Sequence, residues 1–250
     1  MYHFPMDCLF ISNVDGSEQR YVRLLPADFD HNAPHHLIIA LHGHGADRWQ
    51  FISDPRDETR GVRDIAAAHR LIIVSPDYRA TTSWMGPLAE ADLLQIIDEV
   101  KEQFAILKVI LVGGSMGGSA ALTFTALHPT LIAGVCALNP LANHLEYDQF
   151  QEAIGASFGG HKTEIPGEYK KRSAEYWPDA FTMPVGITTG GRDTIVPPHS
   201  AIRFSTMLRN RRCKLLLLHR EMGGHATDYA DTIMAMEYVV SSALRDHEYE

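Results

Sequence analysis

Short apolar runs alternate with amphipathic stretches along most of the chain. The runs are rich in Ile, Val and Leu and lack polar alternation, which is the pattern of strands buried on both faces of a sheet. The stretches between them carry apolar residues at helical spacing; residues 87–104 place theirs on one face, at Leu93, Ile96, Ile97 and Val100. Strands that alternate with helices predict an α/β protein whose mostly parallel central sheet is flanked by helices.

The pattern also predicts where the individual elements lie. Buried strands are expected over residues 35–43, 71–79, 107–114, 131–140, 183–191 and 213–221. Helices are expected over residues 58–70, 87–104, 118–128, 198–212 and 231–246. Residues 8–14 and 19–26 are β-rich runs on either side of a glycine-containing turn, which predicts an N-terminal β-hairpin. We expect residues 1–250 to form a single domain.

One segment, residues 141–181, interrupts the alternation. It lies between two predicted strands and is too long for a simple crossover. It is polar overall but contains Tyr147, Phe150, Phe158, Tyr169, Tyr176, Trp177 and Phe181. We interpret it as a small cap-like insertion with helical pieces, such as residues 146–158. An ordinary crossover helix with a long loop is the alternative.

Ser115 lies in a glycine-rich turn between a predicted strand and a predicted helix. Residues 113–117 match the pattern G-x-S-x-G, and the strand–turn–helix context is the one that a nucleophile elbow requires. Such a turn presents its serine at the carboxyl edge of the sheet, where ligands bind in open α/β folds. A phosphate-binding loop would end in Gly-Lys-Ser or Gly-Lys-Thr, and "GGSMGGSA" has no lysine.

A nucleophilic serine needs a base, and the base needs an orienting acid. His225 follows the last predicted strand in a Gly-Gly-His loop, and Asp193 follows the strand before it. The order Ser115, Asp193, His225 is the one expected for an elbow of this kind. The alternatives are a turn or helix-capping role for Asp193 and a surface-loop role for His225.

Acyl transfer also requires backbone donors for the oxyanion. One should be the N–H of Met116, the residue after the serine, and the other should come from the loop "LHGHGAD". We assign the second donor to His44, with Gly45 as the alternative. His42 and His44 have no third ligand nearby, so we expect no metal site here, and no cofactor.

With these residues in place, the chain resembles the α/β-hydrolases. It is similar to the esterase and prolyl-oligopeptidase-like branch, which includes dienelactone-hydrolase-like and feruloyl- or acetyl-esterase-like proteins. The matching motifs are "LHGHGAD", "SPDYR", "GGSMGG", "GGRDTIVPP" and "GGHA". The resemblance implies Ser115 as nucleophile, His225 as general base and then acid, and Asp193 as the acid that orients the histidine.

The resemblance implies a carboxylic-ester hydrolase acting on short-chain acyl or hydroxycinnamoyl (feruloyl-type) esters, with esters of carbohydrates as one option. A serine peptidase acting on short peptides is the alternative from the same fold, and a catalytically silent binding module is a third. We predict that Trp84 and Trp177 line the substrate pocket and that Gly114, which has no side chain, leaves space at its base. Trp84 could instead pack its loop against the following helix.

Composition narrows the partners further. The formal charge of −9 argues against binding to nucleic acid or to an anionic membrane, because both require basic patches. Three cysteines without ligand spacing fit reduced thiols better than a disulfide framework. No signal peptide or membrane-spanning run is visible, so we expect a cytoplasmic protein, although a trimmed leader would be invisible. The expected partner is a small-molecule or carbohydrate-linked ester, with a homodimer as a possible assembly.

Overall fold

Eight strands form one sheet in the computed structural model, which describes residues 2–245. They are β1 Met6–Ile11, β2 Glu18–Leu24, β3 His35–Leu41, β4 Ile72–Pro76, β5 Ile106–Gly114, β6 Gly134–Leu138, β7 Val185–Gly190 and β8 Leu215–Arg220. The spatial order is β1-β2-β4-β3-β5-β6-β7-β8. β2 pairs antiparallel with β1 and β4, and the other neighbours are parallel. The predicted N-terminal hairpin and mostly parallel sheet are confirmed.

The helices are α1 Gln50–Ser53, α2 Asp57–Ala68, α3 Pro87–Gln103, α4 Met116–Leu127, α5 Gln151–Phe158, α6 Pro166–Lys171, α7 His199–Asn210 and α8 Tyr229–Leu244. The sequence pattern did not predict α1, which is a single turn. Asp246, the last residue of the predicted closing helix, lies outside the described residues. Within residues 2–245, no helix is both long and apolar enough to cross a lipid bilayer.

The sheet separates two hydrophobic cores. Successive side chains of a strand point to opposite faces. On β5, Leu111 therefore packs in the core that contains Leu93 of α3, whereas Ile110 and Val112 pack in the core that contains Val239 of α8. Because both faces are covered, the strand is apolar at every one of these positions.

The segment 141–181 contains α5, α6 and two short 3₁₀ turns, Ala174–Tyr176 and Pro178–Ala180. The helix predicted over residues 146–158 begins only at Gln151, so the prediction was wrong for residues 146–150. Phe150 has φ 53°, a left-handed conformation that cannot extend the helix towards its N-terminus. The segment lies against the face of the sheet that carries α3 and α4, since Ile154, Phe158 and Tyr169 are buried in that core.

Candidate active site

Ser115 occupies a sharp turn between β5 and α4. Its backbone has φ 56° and ψ −120°, which is strained for a residue with a side chain. The flanking glycines make the turn possible because the chain passes very close to itself. An added Cβ at Gly117 would lie 1.9 Å from the Leu41 carbonyl oxygen, and one at Gly113 would lie 2.3 Å from the backbone of Gly117. Only glycine fits at either position.

The structure brings the three predicted triad residues together in one hydrogen-bonded chain. The Ser115 hydroxyl donates to His225 Nε2 at 2.7 Å, and His225 Nδ1–H donates to Asp193 Oδ2 at 2.6 Å. The other carboxylate oxygen of Asp193 accepts from the N–H groups of Ile195 and Val196, both at 2.9 Å. These bonds fix the buried Asp193 carboxylate in one orientation.

A second set of hydrogen bonds supports the loop that carries His225. Asn139 Nδ2 donates to Thr227 Oγ1 at 2.9 Å, and Thr227 Oγ1 lies 2.6 Å from Thr188 Oγ1. All three residues are buried. Asn139 and Thr227 were not predicted. Asn139 precedes a proline after a strand, which is the sequence signature of a turn residue.

The loop after β3 leaves the backbone N–H of His44 available as a donor. Gly43 N–H donates to Gln50 Oε1 at 2.7 Å, and Gly45 N–H donates to the Thr81 carbonyl at 2.7 Å. Among the described residues, none accepts a hydrogen bond from His44 N–H. Gln50, which holds this arrangement, lies on the unpredicted helix α1.

Met116 is the first residue of α4 and follows Ser115 directly. Its N–H belongs to the first helical turn, where backbone donors have no partner within the helix and the helix dipole is positive. The structure thus places both residues predicted as oxyanion donors, Met116 and His44, at chain segments that adjoin Ser115.

A cavity of about 150 Å³ opens on Ser115, and its lining includes His44 and Gly114. The other side chains around it are polar: Gln50, Arg56, Glu58, Asn139 and His225. An added Cβ at Gly114 would lie 3.5 Å from both carboxylate oxygens of Glu58. Glu58 was not predicted either, because an acid in the first turn of a helix is ordinarily explained by its favourable interaction with the helix dipole.

The two tryptophans lie elsewhere, so the prediction that they line this cavity was wrong. Trp84 is 1% exposed and packs against the rings of His44, Tyr147 and Phe150. It therefore anchors its loop, as the alternative interpretation proposed. Trp177 is 43% exposed on the surface of the 141–181 segment, where its indole N–H donates to a backbone carbonyl at 3.1 Å.

His42 orders the loop beside the site. Its carbonyl accepts a hydrogen bond of 2.6 Å from the Tyr78 hydroxyl, and its ring packs 4.5 Å from the Tyr78 ring. Burial lowers the pKa of His42 below its ordinary value, which favours the neutral imidazole. Among residues 2–245, no group of three or more His, Cys, Asp or Glu side chains is arranged to hold a metal ion.

Comparison with solved structures gives the same fold at low sequence identity. A fluorophosphonate-binding serine hydrolase F from Staphylococcus aureus is 18% identical, with a TM-score of 0.72 over 96% of this chain and 98% of its own. An S-formylglutathione hydrolase from Agrobacterium tumefaciens is 15% identical, with a TM-score of 0.74 over 97% of both chains. A ferulic acid esterase from Anaeromyces mucronatus is 17% identical, with a TM-score of 0.69 over 97% of this chain and 92% of its own.

Sequence comparison identifies the family. Among curated protein sequences, none matches the chain. The profile of the α/β-hydrolase fold family matches residues 37–168, which is more than half of the chain and includes Ser115. The chain therefore belongs to the α/β-hydrolase fold family.

Proposed function

We propose that this protein is a serine hydrolase that cleaves carboxylic esters through an acyl-enzyme on Ser115. The observation that carries the proposal is the hydrogen-bonded chain Ser115–His225–Asp193, with distances of 2.7 and 2.6 Å. A serine hydroxyl is a weak nucleophile until an adjacent base accepts its proton. The family and the position of the serine at the turn after β5 agree with this role.

The reaction has two halves. His225 Nε2 accepts the Ser115 proton while Oγ attacks the ester carbonyl, and Asp193 stabilises the imidazolium. The carbon–oxygen bond then breaks, and His225 returns the proton to the leaving oxygen, which departs as an alcohol. Water attacks the acyl-enzyme with His225 again as the base, and the acid is released with Ser115 restored.

The negative charge that develops on the carbonyl oxygen needs fixed donors. The N–H groups of His44 and Met116 serve this purpose. The assignment of His44 over Gly45 is supported by hydrogen bonding, since Gly45 N–H already donates to the Thr81 carbonyl.

The cavity supports a short acyl group rather than a hydroxycinnamoyl group. Aromatic ligands are usually held by hydrophobic or aromatic walls. The two tryptophans expected to supply such a wall are absent from the lining, and the side chains around Ser115 are polar. We therefore favour acetyl-like acyl groups on polar alcohols, including carbohydrates.

Hydrolysis of matched ester and amide substrates tests this function. Acetyl, butyryl and hydroxycinnamoyl esters, together with aminoacyl amides, are compared on wild type and Ser115→Ala. We expect acetyl esters to be preferred and Ser115→Ala to lose at least about a thousandfold in kcat/KM. Ser53→Ala is the matched control, because Ser53 is exposed and its hydroxyl contacts only the Trp49 carbonyl. Equal turnover by Ser115→Ala would refute the nucleophile, and faster amide cleavage would favour a peptidase.

A further inference from the structure

A larger groove continues from the cavity at Ser115. It has a volume of about 530 Å³. It shares Arg56, Glu58, Asn139 and His225 with the smaller cavity. His225 therefore lies at the boundary between the cavity and the groove.

Reaction chemistry indicates which half of an ester enters this groove. The leaving oxygen must come within hydrogen-bonding distance of His225 Nε2 to receive its proton. The group attached to that oxygen then extends past His225, towards the groove. On the proposed ester hydrolysis, the groove receives the alcohol half of the substrate.

Negative charge predominates on the walls of the groove, which carry two arginines and four carboxylates. Arg220 is paired with Asp231 through a bond of 2.7 Å. Arg56 is paired at 2.7 Å with Asp54, which is not part of the wall. Arg220 thus has its own carboxylate partner, and Arg56 lies closer to Asp54 than to Glu58.

Of the four carboxylates on the groove wall, Glu58 is the one that also lines the cavity at Ser115. Its side chain is 16% exposed, and its ion pair with Arg56 is long, at 3.9 Å. Burial raises the pKa of Glu58, and the positive charge of Arg56 opposes that rise. This carboxylate faces Gly114, the residue before Ser115, where an added Cβ would lie 3.5 Å from both of its oxygens.

We propose that Glu58 is a specificity-determining residue that favours esters whose alcohol half carries a positive charge. A carboxylate at the border of a partly enclosed polar cavity attracts a cation in the leaving group and repels an anion. The proposal deepens the ester-hydrolase assignment and rests on it for the direction of binding.

Acetylcholine and 3,3-dimethylbutyl acetate test the proposal, because they differ only in a cationic nitrogen against a neutral carbon. The readout is the ratio of kcat/KM for the charged over the neutral ester. We expect this ratio to fall by about tenfold in Glu58→Gln, which removes one charge and keeps the shape of the side chain. Glu102→Gln, an exposed residue on α3, is the matched control and should leave the ratio unchanged.

Two outcomes would overturn the proposal. An unchanged ratio in Glu58→Gln, with both esters slowed equally, would make Glu58 a positioning residue that only holds the backbone of Thr227. If wild type cleaves the charged and the neutral ester with equal kcat/KM, the groove does not select a cationic alcohol, and the proposal is wrong.

Binding of the free alcohols separates this inference from the hydrolase assignment. Choline and 3,3-dimethylbutan-1-ol are titrated against wild type and Glu58→Gln by NMR, which needs no turnover. Tighter binding of choline by wild type, lost in the variant, supports the groove even if no ester is cleaved. Equal binding of both alcohols by wild type contradicts it.

Discussion

Single glycines decide whether the turn at Ser115 can form, because the chain passes very close to itself there. Gly117 lies inside α4, where alanine would ordinarily be the better helix former. Its added Cβ would nevertheless lie 1.9 Å from a backbone oxygen, which cannot move aside as a side chain can. The same change at Gly114 meets only the end of the Glu58 side chain at 3.5 Å, an ordinary contact distance.

We therefore expect Gly117→Ala to destabilise the protein by about 3 kcal/mol or more, through overpacking, while Gly114→Ala remains close to wild type. Chemical denaturation of the two variants measures the difference directly. The pair is well matched, since both replace a glycine of the same turn by alanine. Similar free energies of unfolding for the two variants would contradict the geometry of the turn.

The residues that sequence pattern could locate are those that follow strands. Ser115, Asp193 and His225 each come within a few residues of the end of a predicted strand, so the shared edge of a parallel sheet predicts that they meet. Glu58 and Gln50 could not be found in this way. They reach the cavity because α1 and α2 fold over the end of β3, and nothing in the local pattern shows that approach.

Among the elements, the 141–181 segment is joined to the rest of the fold by the buried guanidinium of Arg172. Arg172 follows α6 and is fully buried. It donates to Glu168 at 2.6 Å within the segment, and to Glu90 on α3 at 2.8 Å and the Met85 carbonyl at 2.7 Å outside it. Burial alone would raise the pKa of Glu90, but Arg172 brings that pKa below its ordinary value.

Removing the buried Arg172 guanidinium breaks its ion pairs with the partly buried carboxylates of Glu90 and Glu168. We expect Arg172→Met to lower the free energy of unfolding by about 3–5 kcal/mol. Arg209→Met, at an exposed position on α7, should change it by no more than about 0.5 kcal/mol. Urea denaturation of both variants gives the comparison, and equal small losses would show that Arg172 does not fasten the segment.

Sequence pattern predicted the regular elements better than this segment. The long apolar runs and the stripe of α3 define their elements locally. The aromatic residues between 141 and 181 suggested a pocket wall, yet Tyr147, Phe158, Tyr169 and Phe181 are buried in the core. The sequence alone does not distinguish an aromatic side chain that faces a ligand from one that packs against another layer of the fold.

At the scale of the whole molecule, one buried histidine makes the fold sensitive to acid. His144 is almost completely buried, and burial together with the charge of Arg172 lowers its pKa to about 3. The unfolded chain binds a proton at this residue near its ordinary pKa of 6.5, whereas the folded protein does not. Stability is therefore lost as the pH falls from the ordinary pKa towards the lowered one.

The free energy of unfolding of wild type should fall between pH 6 and pH 4 by up to about 1.4 kcal/mol per pH unit from this residue alone. In His144→Gln, which cannot titrate at this position, the free energy of unfolding should depend less steeply on pH, by up to about 1.4 kcal/mol per pH unit, which corresponds to one proton. His161→Gln is the control, because His161 is exposed and should leave the slope as in wild type. A His144→Gln slope identical to wild type would contradict the buried neutral imidazole.

Covalent labelling with a fluorophosphonate tests whether Ser115 is the nucleophile that carries the acyl group. Mass spectrometry of the intact protein should show one adduct per chain in wild type, located by peptide mapping to Ser115. Ser115→Ala should remain unlabelled, and His225→Ala should label far more slowly, because the hydroxyl keeps its proton. Labelling of Ser115→Ala at the wild-type rate, or an adduct on another residue, would show that Ser115 is not the nucleophile.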